Sequence, residues 1–496
     1  MATPIPENRA PFTTAEVARA TSGRLVGAEP GLELRGVTTD SRTAPAGSLF
    51  VALRGESHDG HRFVPAARER GAFPLVAEAA GVAGPRLEVA DTLTALGDLA
   101  RAHVDRVFAA GGARPVLAIG GAAGKTTTRT LAAAAVGALF GETLVTEGNL
   151  NNRVGVPATL LTLAARHRAL VLECGTSLPG EIAELGRIAR PDVAGVINVG
   201  IEHSERLGGL AEIADEEAEL LYSARRAAVT NAGEPLLLER LARAGAPRRL
   251  TFGSGARADL RLTAREVGDD GRARLAFRLG ERLHAPADDR TGTPPARELE
   301  LTTALLGEQA AENVAAALCG ALALLEGTPD ARQLAALASA IAAIRAVPGR
   351  LRPLEAGGVL ILDDTYNSNP KSVAAALATA RELARRRGTR LVLALGDMLE
   401  LGELSAPAHE EMVRRADGTG ASRLLLVGPA SCEAAARLRL ATETRLFADS
   451  AAAAAEIAAL VAPDDLLLIK GSRGIRMERL LEALAAPGDR EPPSLL

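Results

Sequence analysis

The sequence lacks a long apolar run, paired cysteines and a strong charge of one sign. No apolar span is long enough for a transmembrane helix. The N-terminal stretch MATPIPENRAPFTTAEVARA has no basic region followed by an apolar one, so no signal peptide is expected. These features predict a cytoplasmic protein with no membrane partner.

Cysteine usage argues against a protein built on disulfides or on paired cysteine metal ligands, and net charge argues against a nucleic-acid-binding protein. Cys174, Cys319 and Cys432 are scattered and odd in number, which predicts neither a disulfide framework nor paired metal ligands. This usage fits a reducing compartment. The formal net charge of -4 gives no electrostatic case for nucleic acid as a partner.

Lysine is also scarce. The 57 basic residues include only three lysines, at Lys125, Lys371 and Lys470. Because arginine serves almost everywhere else as the cation, the surroundings of each lysine are informative. The first lies in LAIGGAAGKTTTRT, from Leu117 to Thr130.

Length and pattern predict an α/β fold with three domains. A chain of 496 residues is too long for one ordinary core. Residues 1–108 predict a small N-terminal α/β domain. Residues 109–347 alternate short apolar runs with helical stretches, which predicts a central P-loop domain on a parallel sheet. Residues 348–496 repeat the alternation and predict a C-terminal Rossmann-like domain.

Two details refine the central domain. The stretch DLRLTAREVGDDGRARLAFRLG predicts two antiparallel strands around a GDDG turn. A helical stretch is expected over 308–346, closing this part of the chain.

A glycine-rich turn at 120–124 follows the apolar strand 116–119, and a helix is expected to start at Lys125. Such a turn can direct backbone N–H groups at phosphate oxygens, with Lys125 on the outer phosphates and the Thr126 hydroxyl on Mg²⁺. The spacing is GxxGKT rather than GxxxxGK[ST], since Ile119 occupies the first glycine position. A turn that binds nothing is the alternative.

Two polar residues follow later strands. Glu173 ends the apolar run in ALVLECG, and His203 follows the run in DVAGVINVG. A carboxylate at a strand end beside a phosphate loop is a natural Mg²⁺ ligand, and a surface Glu at a loop start is the alternative. A lone His is more typical of a structural hydrogen-bonding residue than of a ligand.

The helix GGLAEIADEEAELLYSA carries an acid on its apolar face. That face is predicted to comprise Leu210, Ile213, Ala214, Glu217 and Leu221. The remaining acids are predicted to form a solvated stripe: Glu212, Asp215, Glu216 and Glu219. The inward carboxylate of Glu217 needs a partner, and a metal ion is one candidate.

Two polar stretches end strands of the last domain. LILDDTYNSNP fits the rim of a ligand site, or an Asx-rich turn before a helix. IKGSRGIRME places Lys470, Arg473 and Arg476 in a glycine-containing turn, which fits an anion site or a cationic surface loop.

Together these segments resemble the Mur ligase family from about Gly36 to about Leu484. The resemblance rests on GVTTDSRTAPAGSLFVALRGESHDGHRF, GKTTT, TEGNLNNRVGVPATLL, RIARPDVAGVINVGIEH, PGRL, DDTYNSNP, LGDMLELGELS and KGSRGIRME. Three of these stretches, TEGNLNN, YNSNP and GDMLELGELS, are similar to the branch of the family that extends a UDP-linked tripeptide.

The resemblance implies an ATP-dependent, ADP-forming amide ligase of peptidoglycan synthesis. Its substrates would be ATP with Mg²⁺, UDP-N-acetylmuramoyl-tripeptide and D-alanyl-D-alanine, joined through an acyl phosphate. Positioning and charge neutralisation dominate such catalysis. A monomer is expected, with a UDP-substrate-binding domain, an ATP-binding domain and a ligase domain in that order.

Carried over residue by residue, the family pattern assigns site roles. ATP is assigned to Gly121, Ala122, Ala123, Gly124, Lys125, Thr126, Thr127, Asn313, Arg350 and Asp364. Metal binding is assigned to Thr126, Glu173, His203 and Glu217, and catalysis to Lys125, Glu173, His203 and Glu217. Substrate binding is assigned to Ser41, Arg42, Asp59, Gly60, His61, Asn149, Asn151, Asn152, Tyr366, Asn367 and Asn369.

Three departures from the family pattern stand out. Ala122 and Ala123 replace a hydroxyl and an amide in the loop, and Gln309 stands where a His on the adenine side is usual. Glu217 stands where the family has a carbamylated lysine, and we hypothesise that it replaces the carbamate on an arm shorter by roughly 4 Å. A water bridging to Mg²⁺ would close that gap. A Mur-type ligase with other substrates and a catalytically silent nucleotide-binding homologue stay open as alternatives.

Overall fold

In the computed structural model, three helix-covered sheet units follow one another along the chain, as the α/β prediction expects. The structure describes residues 3–55, 58–268, 272–283 and 298–485. Within these ranges, no helix combines the length and the apolar character needed to cross a membrane.

The first unit has a five-stranded, mostly parallel sheet in the order β2-β7-β6-β5-β4, and a separate antiparallel pair β1-β3. Its strands are β1 (Pro11–Thr13), β2 (Arg24–Val26), β3 (Glu33–Arg35), β4 (Val37–Thr38), β5 (Leu49–Val51), β6 (Phe73–Ala77) and β7 (Arg86–Val89). Its helices are α1 (Thr14–Ala20), α2 (Val64–Glu69) and α3 (Thr92–Gly111).

The central unit has a nine-stranded sheet in the order β16-β15-β14-β13-β12-β11-β8-β10-β9. Its strands are β8 (Val116–Gly120), β9 (Thr143–Val145), β10 (Ala169–Glu173), β11 (Val193–Val196), β12 (Ala227–Asn231), β13 (Arg248–Gly253), β14 (Leu260–Val267), β15 (Ala273–Leu279) and β16 (Glu298–Thr303). Its helices are α4 (Lys125–Phe140), α5 (Gly155–Leu161), α6 (Glu181–Ala189), α7 (Ser204–Leu207), α8 (Leu210–Tyr222), α9 (Pro235–Leu241), α10 (Glu308–Ala323) and α11 (Ala331–Ala342).

Burial explains the apolar strands of the central unit. Every residue of β8 and β10 is buried, because helices cover both faces of a parallel sheet. Strands β14 and β15 pair antiparallel, as predicted, while residues 269–271 of the GDDG turn lie outside the described residues. The helical stretch predicted over 308–346 is two helices, α10 and α11. Gly327 and Pro329 lie between them, and both residue types disfavour a continuous helix.

The third unit has a six-stranded sheet in the order β17-β18-β22-β19-β20-β21, parallel except for β17. Its strands are β17 (Arg352–Ala356), β18 (Val359–Asp364), β19 (Leu391–Gly396), β20 (Arg423–Val427), β21 (Glu443–Phe447) and β22 (Leu466–Lys470). Its helices are α12 (Pro370–Arg387), α13 (Ser405–Asp417), α14 (Pro429–Ala436), α15 (Ser450–Leu460) and α16 (Glu478–Leu484).

One predicted domain boundary lies inside a helix, and the other lies in a coil segment. Residue 108 lies inside α3, whereas residues 347 and 348 lie in the coil between α11 and β17. The carboxyl ends of β8, β10 and β11 in the central unit, and of β18 and β22 in the third, carry the polar residues that the sequence singles out. Carboxyl ends of parallel strands are the usual place for a ligand site.

Candidate active site

The turn between β8 and α4 requires glycine at two positions. Gly121 and Gly124 have φ angles of 122° and 89°, which side-chain-bearing residues rarely adopt. A Cβ on Gly124 would also lie 2.5 Å from Asn313 Oδ1. The turn therefore delivers Lys125, as predicted, to the first position of α4, where the N–H groups of the first turn have no acceptor within the helix.

Three backbone amides of the turn, which is predicted to hold phosphate, donate to acceptors within the central unit. The N–H of Gly121 donates to Glu217 Oε2 at 2.8 Å, and that of Ala123 to Asn198 Oδ1 at 2.9 Å. Ala122 N–H donates to the backbone carbonyl of Asn198. In this conformation these three amides therefore have acceptors within the protein, and the assignment of the turn to phosphate stays a prediction.

Lys125 is held by an acid that the sequence analysis did not select. Its Nζ donates to the Gly121 carbonyl and to Glu202 Oε1, the latter at 3.2 Å. Burial opposes the charge of this lysine, but Glu202, Glu217 and Glu173 together raise its pKa above the ordinary value. Lys125 is therefore a cation near neutral pH.

Glu173 ends β10 beside Thr126, as its predicted metal role requires. Its Oε1 accepts from Thr126 Oγ1 at 3.3 Å and from Asn151 Nδ2 at 2.9 Å. Arg129 makes an ion pair with Glu173 Oε2 at 3.3 Å and donates to the Gly148 carbonyl at 2.9 Å. Arg129 was missed in the sequence, although its position three residues after Thr126 puts both on one face of α4.

Glu217 points inward, as predicted, and is fully buried. Burial raises its pKa to about 7, although Lys125 acts in the opposite direction. Its Oε2 accepts from Gly121, and its Oε1 has no hydrogen-bond partner among the described residues. One oxygen of this acid therefore stays available beneath the phosphate loop.

The predicted solvated stripe on α8 is wrong at Glu216. This residue is 9% exposed and accepts from the N–H groups of Gly180 and Ile182, at 2.7 and 2.9 Å. It thereby caps α6, which has no side-chain cap of its own. At the start of α8, Leu210 is exposed rather than part of the buried face.

His203 has a left-handed backbone conformation with a φ of 49°. Its Nδ1 pairs with Glu400 of the third unit. Among the described residues, no three His, Cys, Asp or Glu side chains gather into a metal-binding group. His203, Glu173 and Glu217 are thus not joined at one centre in this conformation.

The third unit brings its own polar residues to the cleft. Lys470 Nζ donates to Asp364 Oδ2 at 2.7 Å and to the Asn367 carbonyl at 2.9 Å. Burial lowers the pKa of Lys470, while Asp364 opposes that shift. The Arg350 guanidinium stacks on the Tyr366 ring, 4.2 Å from its centroid.

A cleft between the central and third units joins these groups. Asn313 and Gln309 of α10 line it from one side, and Arg350 and Asp364 from the other. Its remaining walls include Ala123, Gly124, Thr126, Thr127, Leu305, Leu306, Ala310, Ala346, Leu351, Ser372, Ala375, Ala376, Thr379 and Lys470. A cleft with apolar walls and polar ends suits a nucleotide-sized ligand.

Residues assigned to substrate binding occupy two further regions. In the first unit, His61 Nδ1 pairs with Asp59 Oδ1 at 2.6 Å, and its Nε2 accepts from Ala77 N–H. Gly60 begins the helical turn after Asp59, while Ser41 is buried and Arg42 is exposed and paired with Asp40. In the central unit, Asn149 contacts Thr3 and Asn152 Oδ1 accepts from the amides of Val154 and Gly155. Among the described residues, no hydrogen bond or ion pair joins the first-unit group to Lys125.

Sequence comparison supports the same three-part architecture. Family models match at residues 33–104 (Mur ligase family, catalytic domain), 119–321 (Mur ligase middle domain) and 349–473 (Mur ligase, glutamate ligase domain). A protein from Escherichia coli named UDP-N-acetylmuramoyl-tripeptide--D-alanyl-D-alanine ligase is 33% identical, over 96% of this chain and 99% of its own. The chain belongs to the Mur ligase family.

Other Mur ligases agree with that placement. A protein of the same name from Mycobacterium tuberculosis is 31% identical, over 96% of this chain and 98% of its own. MurF from Acinetobacter baumannii superposes with a TM-score of 0.82 at 27% identity, covering 96% of this chain and 99% of that one. MurF ligase from Thermotoga maritima, solved in complex with ADP, gives 0.75 at 28% identity, covering 90% and 96%. The predicted family and fold class are confirmed, and the individual site roles stay predictions.

Proposed function

We propose that this Mur ligase joins D-alanyl-D-alanine to UDP-N-acetylmuramoyl-tripeptide in peptidoglycan synthesis, with ATP converted to ADP and phosphate. The named relatives match nearly end to end. The observation that carries the proposal is the position of Lys125 at the start of α4, next to Gly124 and Thr126, which line a cleft whose opposite wall is Asp364 and Arg350 of the third unit. A phosphate-binding lysine opposite a second set of polar residues suits a reaction that couples ATP to a third component.

In the first step, ATP binds in the cleft. The α4 N-terminus and Lys125 would hold its phosphates, since a helix N-terminus and an ammonium both favour phosphate oxygens. Asn313 would face the adenine, with Arg350 and Asp364 on the ribose and phosphates. The terminal carboxylate of the tripeptide then attacks the γ-phosphorus, ADP leaves, and an acyl phosphate forms.

In the second step, the amine of D-alanyl-D-alanine attacks the acyl carbon. The nitrogen of the tetrahedral intermediate gives up a proton to solvent, the intermediate collapses, the amide bond forms and phosphate leaves. Tyr366, Asn367 and Asn369 would position the dipeptide, while Asn149, Asn151 and Asn152 would contact the tripeptide. Ser41, Arg42, Asp59, Gly60 and His61 would contact the uridine nucleotide, and for these residues the proposal rests on family resemblance alone.

The residues present fit Mg²⁺. Thr126 Oγ1 and Glu173 Oε1 lie side by side, and hard oxygen donors are the ligands that Mg²⁺ prefers. The buried, unpartnered Oε1 of Glu217 is a further oxygen of that kind. Thr126 and Glu173 would hold one ion, with His203 and Glu217 toward a second, and Mg²⁺ would supply charge neutralisation on the phosphates.

One assay separates the candidate activities. Phosphate release from ATP is measured with UDP-N-acetylmuramoyl-tripeptide, with and without D-alanyl-D-alanine, and the product is weighed by mass spectrometry. Release that depends on both substrates, with a pentapeptide product, supports the proposal. Release only with another amine or carboxylate indicates a Mur ligase with other substrates, and no release with bound nucleotide indicates a silent homologue. We also propose that the enzyme acts as a monomer in the cytoplasm, which light scattering and cell fractionation test.

A further inference from the structure

Glu202 is a buried carboxylate that accepts hydrogen bonds from side chains of both the central and the third unit. It is 8% exposed and directly precedes His203. Its Oε1 accepts from Lys125 Nζ at 3.2 Å, and its Oε2 accepts from Asn369 Nδ2 at 3.4 Å. Lys125 belongs to the central unit and Asn369 caps α12 of the third, so this acid lies where the two units meet.

The segment that carries Glu202 is fixed against the third unit. Lys371 Nζ donates to the Val199 carbonyl at 3.1 Å, and Ser204 Oγ donates to the Leu401 carbonyl at 2.9 Å. Contacts on both sides of Glu202 thus set the position of its carboxylate. A binding group held in this way loses little conformational entropy when a ligand arrives.

A carboxylate this buried needs a cation. Under the proposed function Lys125 moves to the phosphates of ATP, and Glu202 would then remain charged without the partner that neutralises it. The other two lysines are already held, Lys371 by Glu234 and Lys470 by Asp364. A ligand is the natural source of the replacement cation.

We propose that Glu202 and Asn369 bind the ammonium group of the incoming dipeptide. Until ATP binds, the Lys125 ammonium is paired with the Glu202 carboxylate, and it then moves to the phosphates of ATP. The inference rests on the proposed function. The α-ammonium of D-alanyl-D-alanine has the same charge and the same three donors as the lysine ammonium, so it can replace Lys125 at Oε1.

The test compares the KM for D-alanyl-D-alanine with the KM for ATP. Glu202→Gln is the test variant, and Glu205→Gln, an exposed acid three residues on, is the matched control. We expect Glu202→Gln to raise the dipeptide KM about tenfold or more, the scale of a lost charge-assisted hydrogen bond. The KM for ATP should stay the same or fall, Glu202→Asp should recover part of the loss, and Glu205→Gln should change neither constant.

A second measurement tests whether Glu202 recognises the ammonium group or another part of the dipeptide. Propionyl-D-alanine has the shape of the dipeptide without its amino group. Its inhibition constant should be the same in the wild type and in Glu202→Gln. A parallel rise of this constant and the dipeptide KM would mean that Glu202 shapes the pocket, and would overturn the assignment.

Two further results would also overturn it. One is an unchanged dipeptide KM in a Glu202→Gln variant that melts like the wild type. The other is a rise confined to the Mg²⁺ concentration needed for half-maximal rate, which would make Glu202 a metal ligand. If Glu202→Gln does not fold, the same two KM values are measured for Glu202→Asp, for which we expect a smaller increase in the dipeptide KM. A wild type without turnover refutes the proposed function itself, whereas normal turnover with an unchanged KM refutes only the role of Glu202.

Discussion

The Oε2 of Glu217 accepts a hydrogen bond from the backbone N–H of Gly121 at 2.8 Å, which places a buried carboxylate directly against the glycine-rich turn at 120–124. The other oxygen of this carboxylate has no hydrogen-bond partner among the described residues. This geometry is compatible with the hypothesis that Glu217 replaces the carbamylated lysine that the family resemblance implies. On that hypothesis its second oxygen would accept from a metal-bound water.

Lys125→Ala should abolish ligation and leave the fold intact. The phosphates would lose their ammonium partner, while the α4 helix would keep a residue of high helix propensity. Phosphate release and circular dichroism measure the two effects. Arg414→Ala, on an exposed face of α13, serves as a control that should retain full turnover. Normal turnover of Lys125→Ala would refute the phosphate assignment.

Glu217→Gln should lose most of the activity, since the amide cannot supply the negative charge that replaces the carbamate. Wild-type activity should not change when bicarbonate is stripped from the buffer, because Glu217 carries its carboxyl group without needing CO₂. Initial rates with and without added bicarbonate measure this. The control is Glu212→Gln on the exposed side of α8. Normal turnover of Glu217→Gln would show that Glu217 has no role in the reaction and is only part of the helix.

The pKa of Glu217 also predicts a pH dependence of stability. Its folded-state pKa is raised to about 7 from the ordinary 4.5, so between these values the folded protein binds more protons than the unfolded chain. The free energy of unfolding should therefore fall as pH rises from 4.5 to 7. From pH 5 to pH 8 the wild type should lose up to about 3 kcal/mol more than Glu217→Gln does. Urea unfolding at both pH values measures the difference, and parallel losses in the two proteins would contradict the raised pKa.

The third unit should swing against the central unit when ATP binds. Asp364 and Asn367 lie on one unit and Lys125 on the other, and the coil at Val347 and Pro348 between α11 and β17 is the expected hinge. Small-angle scattering with and without an ATP analogue and the UDP-linked substrate measures the change. Superimposable curves would show that no such motion occurs.

The sequence determined much of this protein. The pattern of apolar strands and helices predicted three α/β units, because residues buried on both faces of a parallel sheet must be apolar throughout. The start of α4 at Lys125 and the inward position of Glu217 followed from local rules of turn chemistry and helical periodicity. The motifs were also sufficient to place the chain in its family.

Only the tertiary structure decided which side chains and backbone amides from distant segments bond to one another. The inward turn amides of the phosphate loop depend on Asn198, and the burial of Glu216 depends on the amides that begin α6. The partners of Glu202 are 77 residues before it and 167 residues after it. Helical and strand periodicities describe only neighbours within one element, so they cannot tell which side chain meets an acid from another part of the chain. Folding supplies that information, because a buried charge is tolerated only where a distant partner satisfies it.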